Sequence, residues 1–208
     1  MALQRTVVVL AAGQGSRFQD GMHKLAQPLG DSSVLMATMG NALASGLHVV
    51  VVTTAAFADA ARSSVAARDV VVLPEVGADP GGVELGMGSS IAAGVRASPD
   101  AAGWLVLPGD MPLVQPATLQ AVARALDHHP VAFAQHTGRR GHPVGFAAEL
   151  YSELSQLRGD EGARRLVARY PAYGIEIGDP GILVDIDTTS DLQAVRSGLP
   201  RTAHDVRS

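Results

Sequence analysis

The 208-residue sequence predicts an α/β protein, a mostly parallel sheet with helices on both faces, and three observations predict it. Short, continuous β-branched runs alternate with segments of helical periodicity, the pattern of strands buried on both faces and joined by crossover helices. The runs stop at glycine or proline clusters, as strands entering βα loops do. Hydrophobic residues make up 47% of the chain but aromatics only 4%, so the core must come from Val, Leu, Ala and Ile, which suit parallel strands.

Residues 7–10 are the first strand, ending at a glycine-rich loop from Gly13. Asp31, Ser32 and Ser33 offer N-caps for a helix carrying Leu35, Met39 and Leu43 and ending at Gly46. Residues 48–53 read as the second strand, 57–67 as a helix and 70–73 as the third strand, so right-handed βαβ crossovers follow. The glycine-rich stretch 75–88 reads as a loop and 89–97 as a short helix. Residues 104–107 form the next strand, closed by Pro108-Gly109-Asp110-Met111-Pro112. A helix over 116–127, strands at 131–134 and 144–146 around a turn at 137–141, and helical segments near Leu150 and over 160–170 come next. The spacing then predicts a last strand over 182–186 and a helix capped by Thr188 or Thr189. With no repeat or linker, a single domain spans 1–198, and residues 199–208 form a frayed tail.

Composition narrows the function. A net charge of −4 without a basic run argues against a nucleic-acid partner. The longest early apolar stretch, 6–12, is too short to span a membrane, so a soluble cytoplasmic protein is expected. The absence of cysteine removes disulfides, thiolate catalysis and Cys-ligated zinc.

Several motifs can carry chemistry. Leu10-Ala11-Ala12-Gly13-Gln14-Gly15-Ser16-Arg17 places small residues where a nucleotide's phosphates can approach backbone N–H groups, with Arg17 able to fork onto phosphate oxygens. A dinucleotide fingerprint fails, because Phe18 stands at its third glycine, and a P-loop fails for want of Gly-Lys-Ser/Thr. Lys24 can reach an α-phosphate and offset charge on the departing oxygen. Asp110, between two prolines at the C-terminal end of a strand, can present oxygens to Mg²⁺. Asp185 and Asp187 are two apart and share one side of a strand, either as metal ligands or, for Asp187, as a helix cap. Gly86-Met87-Gly88-Ser89-Ser90 opens a helix with donors for a ribose, base or phosphate, unless Ser90 serves the helix alone. Gly141-His142-Pro143 can position an acceptor.

In this order, Leu10-Ala11-Ala12-Gly13 with Arg17 and Lys24, Gly86-Met87 with Ser90, Pro108-Gly109-Asp110-Met111-Pro112, Gly141-His142-Pro143 and Asp185-Ile186-Asp187-Thr188 resemble the molybdenum cofactor cytidylyltransferases, in the MobA-like NTP transferase group. The resemblance implies a Rossmann-like nucleotidyltransferase fold. It implies transfer of CMP from CTP to molybdenum-bearing molybdopterin, with release of pyrophosphate. Residues Leu10, Ala11, Ala12, Gly13, Gly15, Ser90, Pro108 and Gly109 would bind the nucleotide, with Gly13 and Gly15 lining the triphosphate. Arg17 and Lys24 would grip the triphosphate, and Asp110 with Asp185 or Asp187 would hold Mg²⁺, or Mn²⁺ in its place. Gly141, His142 and Pro143 would meet the acceptor. Related guanylyltransferases more often show Leu-Ala-Gly-Gly at the first motif and asparagines at the last, so CTP is the expected nucleotide. A molybdoenzyme receiving the finished cofactor is the further partner implied. A same-fold enzyme with another phosphorylated acceptor and a non-catalytic cofactor-binding chaperone are the competing expectations.

Overall fold

Strand β1 (Thr6–Ala11) lies at the centre of the sheet, and Val7, Val8 and Val9 are fully buried there, as a β-branched run covered on both faces requires. The structure is a computed structural model of the chain, and it describes residues 4–13, 21–74, 86–159 and 162–198. After β1 come a two-residue hairpin, β2 (Pro28–Leu29) and β3 (Ser32–Ser33), then helix α1 (Val34–Ala44), β4 (His48–Thr53), α2 (Ala55–Arg62) and β5 (Val70–Val72). The chain continues through α3 (Met87–Ala97), β6 (Gly103–Pro108), α4 (Pro116–Ala125), β7 (Val131–His136) and β8 (Arg139–Ala147). It ends with α5 (Tyr151–Leu154), α6 (Arg164–Arg169), β9 (Ala172–Glu176) and α7 (Thr189–Arg196).

The main sheet has seven strands in the order β5-β4-β1-β6-β8-β7-β9. All its pairings are parallel except those of β8, which runs antiparallel to both β6 and β7. Alternate residues of each strand feed two cores. Val7 and Val9 of β1, with Leu105 and Leu107 of β6, pack under Leu35 and Met39 of α1, Leu119 of α4 and Leu192 of α7. Val8, Trp104, Val106 and Phe146 pack on the other face with Ile91 and Val95 of α3, Leu154 of α5 and Leu166 of α6. Helices therefore cover both faces, as the sequence predicts.

Ser33 caps α1, its hydroxyl accepting from the Met36 N–H at 3.3 Å. Leu43, expected on the buried stripe, is partly exposed, because the helix turns Val34, Thr38 and Ala42 inward instead. The helix expected over 57–67 stops at Arg62, and a 3₁₀ turn over Ala67–Asp69 precedes β5. Most of the loop expected over 75–88, and the tail from residue 199, lie outside the described residues.

The largest departure concerns the last strand. Residues 182–186 are not a strand: Pro180–Leu183 is a 3₁₀ turn, and the sheet closes instead on β9, parallel to β7. The apolar alternation at 182–186 is real, with Ile182 and Ile186 fully buried and Val184 nearly so, but it reflects packing onto the core rather than sheet pairing. β9, with Tyr173 exposed and a glycine at its centre, is an edge strand whose weak pattern hides it in the sequence.

Candidate active site

The order of the strands decides where a site can form. From β1 the chain steps outward on one side to β4 and β5, then returns to the other side of β1 as β6. Such a reversal leaves a crevice outside the carboxyl ends of the two central strands, the usual ligand position in open α/β sheets. Leu10, Ala11, Ala12 and Gly13 lie at that end of β1, and Pro108, Gly109 and Asp110 lie beside them at the end of β6. Leu10 pairs with Pro108, and the Gly109 N–H donates to the Leu10 carbonyl at 2.8 Å, so the two loops leave the sheet together.

Helix α1 anchors the β6 loop from below. The Thr38 hydroxyl donates to the Gly109 carbonyl at 2.9 Å, and the Asn41 amide donates to the Pro112 carbonyl at 2.8 Å. His23 joins the two ends of the β1 loop. Its Nδ1 accepts from the Leu25 N–H at 3.2 Å and its Nε2 lies 2.9 Å from the Gly13 carbonyl, with the ring edge-on to Phe57. Sequence reasoning gave none of these three residues a role; the available signal was that Thr38 and Asn41 are short polar side chains in an otherwise apolar helix.

Lys24, Asp110 and Asp187 meet in this crevice. The Lys24 ammonium donates to Asp110 Oδ2 at 2.5 Å and to Asp187 Oδ1 at 2.7 Å, so the two carboxylates are near enough for one cation to touch both. Burial would depress the Lys24 pKa, but the charges and hydrogen bonds of Asp110 and Asp187 outweigh it and hold the ammonium above its ordinary value. Asp187 is delivered by the segment before α7. The Ile186 N–H donates to the Asp110 carbonyl at 3.0 Å, and Asp191 accepts from the Asp187 and Thr188 N–H groups within a capping box at the start of α7. Asp185 and Asp187 are not placed by strand alternation, since no strand runs here, but Asp185 still lies beside Asp187, and its pKa is raised, first by loss of hydration, then by the charges of Asp187 and Asp110.

The residues present fit a divalent cation. Asp110 Oδ1 is buried with no hydrogen-bond partner, which is costly for a carboxylate oxygen unless a cation joins it. The charges of Asp187 and Asp110 help to raise the proton affinity of Asp185, the mark of a negative pocket. Among the described residues no three acids or histidines converge into a ready-made cage. The donor set is thus one or two carboxylates with the other positions left to water and phosphate, which is how Mg²⁺ is commonly held.

The other predicted residues divide. His142 on β8 feels the charge of Asp110; burial dominates and pushes its imidazole down to about 4, so it is neutral near pH 7. Gly141 and Pro143 are buried by packing, and a Cβ at Gly141 would stand 2.3 Å from the Ile182 carbonyl. The His142–Pro143 peptide is cis. Ser90, at the start of α3, donates its hydroxyl to the Gly86 carbonyl of its own helix at 3.2 Å. Gly15 and Arg17 lie outside the described residues. No described helix is long and apolar enough to cross a membrane.

Comparison with known proteins agrees with this geometry. The chain is 31% identical over 210 residues to the purine catabolism protein PucB of Bacillus subtilis, an alignment covering 92% of this chain and 96% of that protein. The crystal structure of Rv0371c from Mycobacterium tuberculosis superposes with a TM-score of 0.76 at 29% identity, covering 93% of this chain and 98% of that one. Rv0371c has also been solved in complex with manganese. The molybdopterin-guanine dinucleotide biosynthesis protein A of Archaeoglobus fulgidus, 18% identical, shares the fold with a TM-score of 0.68, over 92% of this chain and 97% of that one. The model of the MobA-like NTP transferase domain matches residues 7–173. By that match, and by its likeness to PucB over nearly the whole of both chains, the chain belongs to the MobA-like NTP transferase domain family.

Proposed function

We propose that the protein is a divalent-metal-dependent cytidylyltransferase that moves CMP from CTP to the phosphate of molybdenum-bearing molybdopterin and releases pyrophosphate. One observation carries the nucleotidyl-transfer reading. Two carboxylates and a lysine converge at the switch point of the sheet, beside small residues that leave backbone room for phosphates. The choice of CTP and of a molybdopterin acceptor rests on the sequence resemblance, from the Leu-Ala-Ala-Gly motif to the paired Asp185 and Asp187.

An acceptor phosphate oxygen attacks the α-phosphorus of CTP in line with the bridging oxygen to the β-phosphate. The new P–O bond forms as the α–β bridge breaks, and the electron pair leaves with pyrophosphate. The attacking phosphate is already ionised, so no general base is required. Lys24, drawn from its acids to the triphosphate, offsets charge on the leaving group, while Gly13 and, from the neighbouring segment, Gly15 and Arg17 cradle the phosphates. Leu10, Ala11, Ala12, Ser90, Pro108 and Gly109 line the nucleotide. Asp110 with Asp185 or Asp187 would hold Mg²⁺ or Mn²⁺, which when bound supplies Lewis-acid neutralisation of the phosphate oxygens. That Rv0371c has been solved in complex with manganese supports a divalent ion as the metal used.

Each of the four NTPs is incubated with molybdenum-bearing molybdopterin and Mg²⁺, and pyrophosphate is measured. Release with CTP, and turnover lowered about a hundredfold or more by Asp110→Asn with an unchanged melting temperature, is the expected result. Release only with GTP or only with a sugar phosphate would replace the substrate assignment. Saturable CTP binding without pyrophosphate under any combination would convert the enzyme into a binder.

A further inference from the structure

A second charged feature lies at the start of β8, beside the C-terminal end of β6 from which Asp110 follows. Arg140 and His142 are two apart on β8, so both project to the face that also bears Val144 and Phe146. The Arg140 guanidinium lies 4.6 Å from the centroid of the Phe133 ring on the adjacent β7. Phe133, Ala163 and Val167 pack into the same apolar cluster, which brings the start of α6, and with it Arg164, against this part of the sheet. The charge of Arg164 reaches Arg140: burial first, then that charge, lowers the Arg140 pKa. His142 links this pair to the acids, since it feels both Arg140 and Asp110.

Both arginines reach solvent, although the Arg140 guanidinium is partly covered, and among the described residues no carboxylate forms an ion pair with either. Guanidinium groups that share a neighbourhood without an ion-paired carboxylate keep their N–H forks open to an anion. A phosphate monoester suits the place, being close to dianionic at neutral pH and offering three acceptor oxygens to planar guanidinium forks. The triphosphate loop follows β1, whereas β8 lies beyond β6, so the two anion positions flank Asp110 from opposite sides. We infer that Arg140 and Arg164, with His142 beside them, bind the phosphate monoester of the acceptor and present it to the nucleotide. This rests on the transferase reading for the word acceptor, but the anion site itself does not.

The test titrates inorganic phosphate and, separately, CTP into the full chain by calorimetry, comparing the wild type with Arg140→Gln, Arg164→Gln and Arg140→Lys. The expected result is phosphate binding weakened about tenfold or more by each glutamine. Part of that loss should be recovered in the lysine variant, and CTP binding should stay within about twofold of wild type. In turnover assays the glutamine variants raise the KM for the acceptor and leave that for CTP unchanged, a split that mere loss of packing would not give. Phosphate binding equal to wild type, undetectable phosphate binding by the wild type, or an equal loss of CTP binding would overturn the assignment. If no NTP yields pyrophosphate with the wild type while the phosphate loss is still seen, the transferase reading fails and the anion site stands.

Discussion

Lys24 occupies the position a cation would take between Asp110 and Asp187, at 2.5 and 2.7 Å from their oxygens. A metal ion and this ammonium compete for the same carboxylates, so nucleotide phosphates that draw Lys24 away should prepare the acids for metal. Lys24→Gln is therefore expected to tighten Mn²⁺ binding in the absence of nucleotide, several-fold by electron paramagnetic resonance titration, while slowing turnover. Weaker or unchanged Mn²⁺ binding would show that the lysine does not guard the site. His142 gives a pH prediction. In the unfolded chain it is protonated below about 6.5, in the folded protein only below about 4, so between these values the unfolded state binds more protons. Its contribution to stability is complete above about 6.5 and is lost as pH falls toward 4. The urea midpoint of His142→Gln should accordingly fall less steeply than that of the wild type across this window, and parallel curves would refute the assignment.

At the scale of elements, the segment before α7 shows how a short helix positions chemistry. The Thr188 hydroxyl accepts from the Asp191 N–H at 3.2 Å, and the Asp191 carboxylate accepts from the N–H groups of Asp187 and Thr188. This capping box fixes the backbone that carries Asp187 into the crevice. Thr188→Ala should lower unfolding stability by about 1 kcal/mol, read by denaturant titration. It should also weaken Mn²⁺ binding, whereas a loss of stability with metal affinity intact would separate the cap from the site. Asp179 ties the other end of the same crossing, its buried carboxylate accepting from the Gln115 and Gly181 N–H groups and from the Thr118 hydroxyl at 2.6 Å. The cap at Thr188 was legible because capping is local. The absence of a strand at 182–186 was not, since alternation reports burial on one side and not what lies on the other.

At the scale of the molecule, α3 lies close to the sheet because Gly94 leaves room for Val8 and Val52. A Cβ there would approach a Val8 methyl to 2.3 Å. Gly94→Ala should push the helix off β1 and cost about 1–3 kcal/mol of unfolding stability, measured by urea denaturation. An unchanged midpoint would mean the helix can shift freely. Residue type and spacing alone determined the buried parallel strands β1, β4 and β6, the place of Asp110 after β6 and the cap at Thr188, because periodicity, β-branching and turn chemistry act over a few residues. Only the tertiary structure decided that Lys24 meets carboxylates 86 and 163 residues away, that Gly141 serves packing, that β9 closes the sheet, and that Arg140 lies over the Phe133 ring. Those contacts depend on strand order and on which helix covers which face, and these follow from the burial of the whole chain rather than from any local pattern.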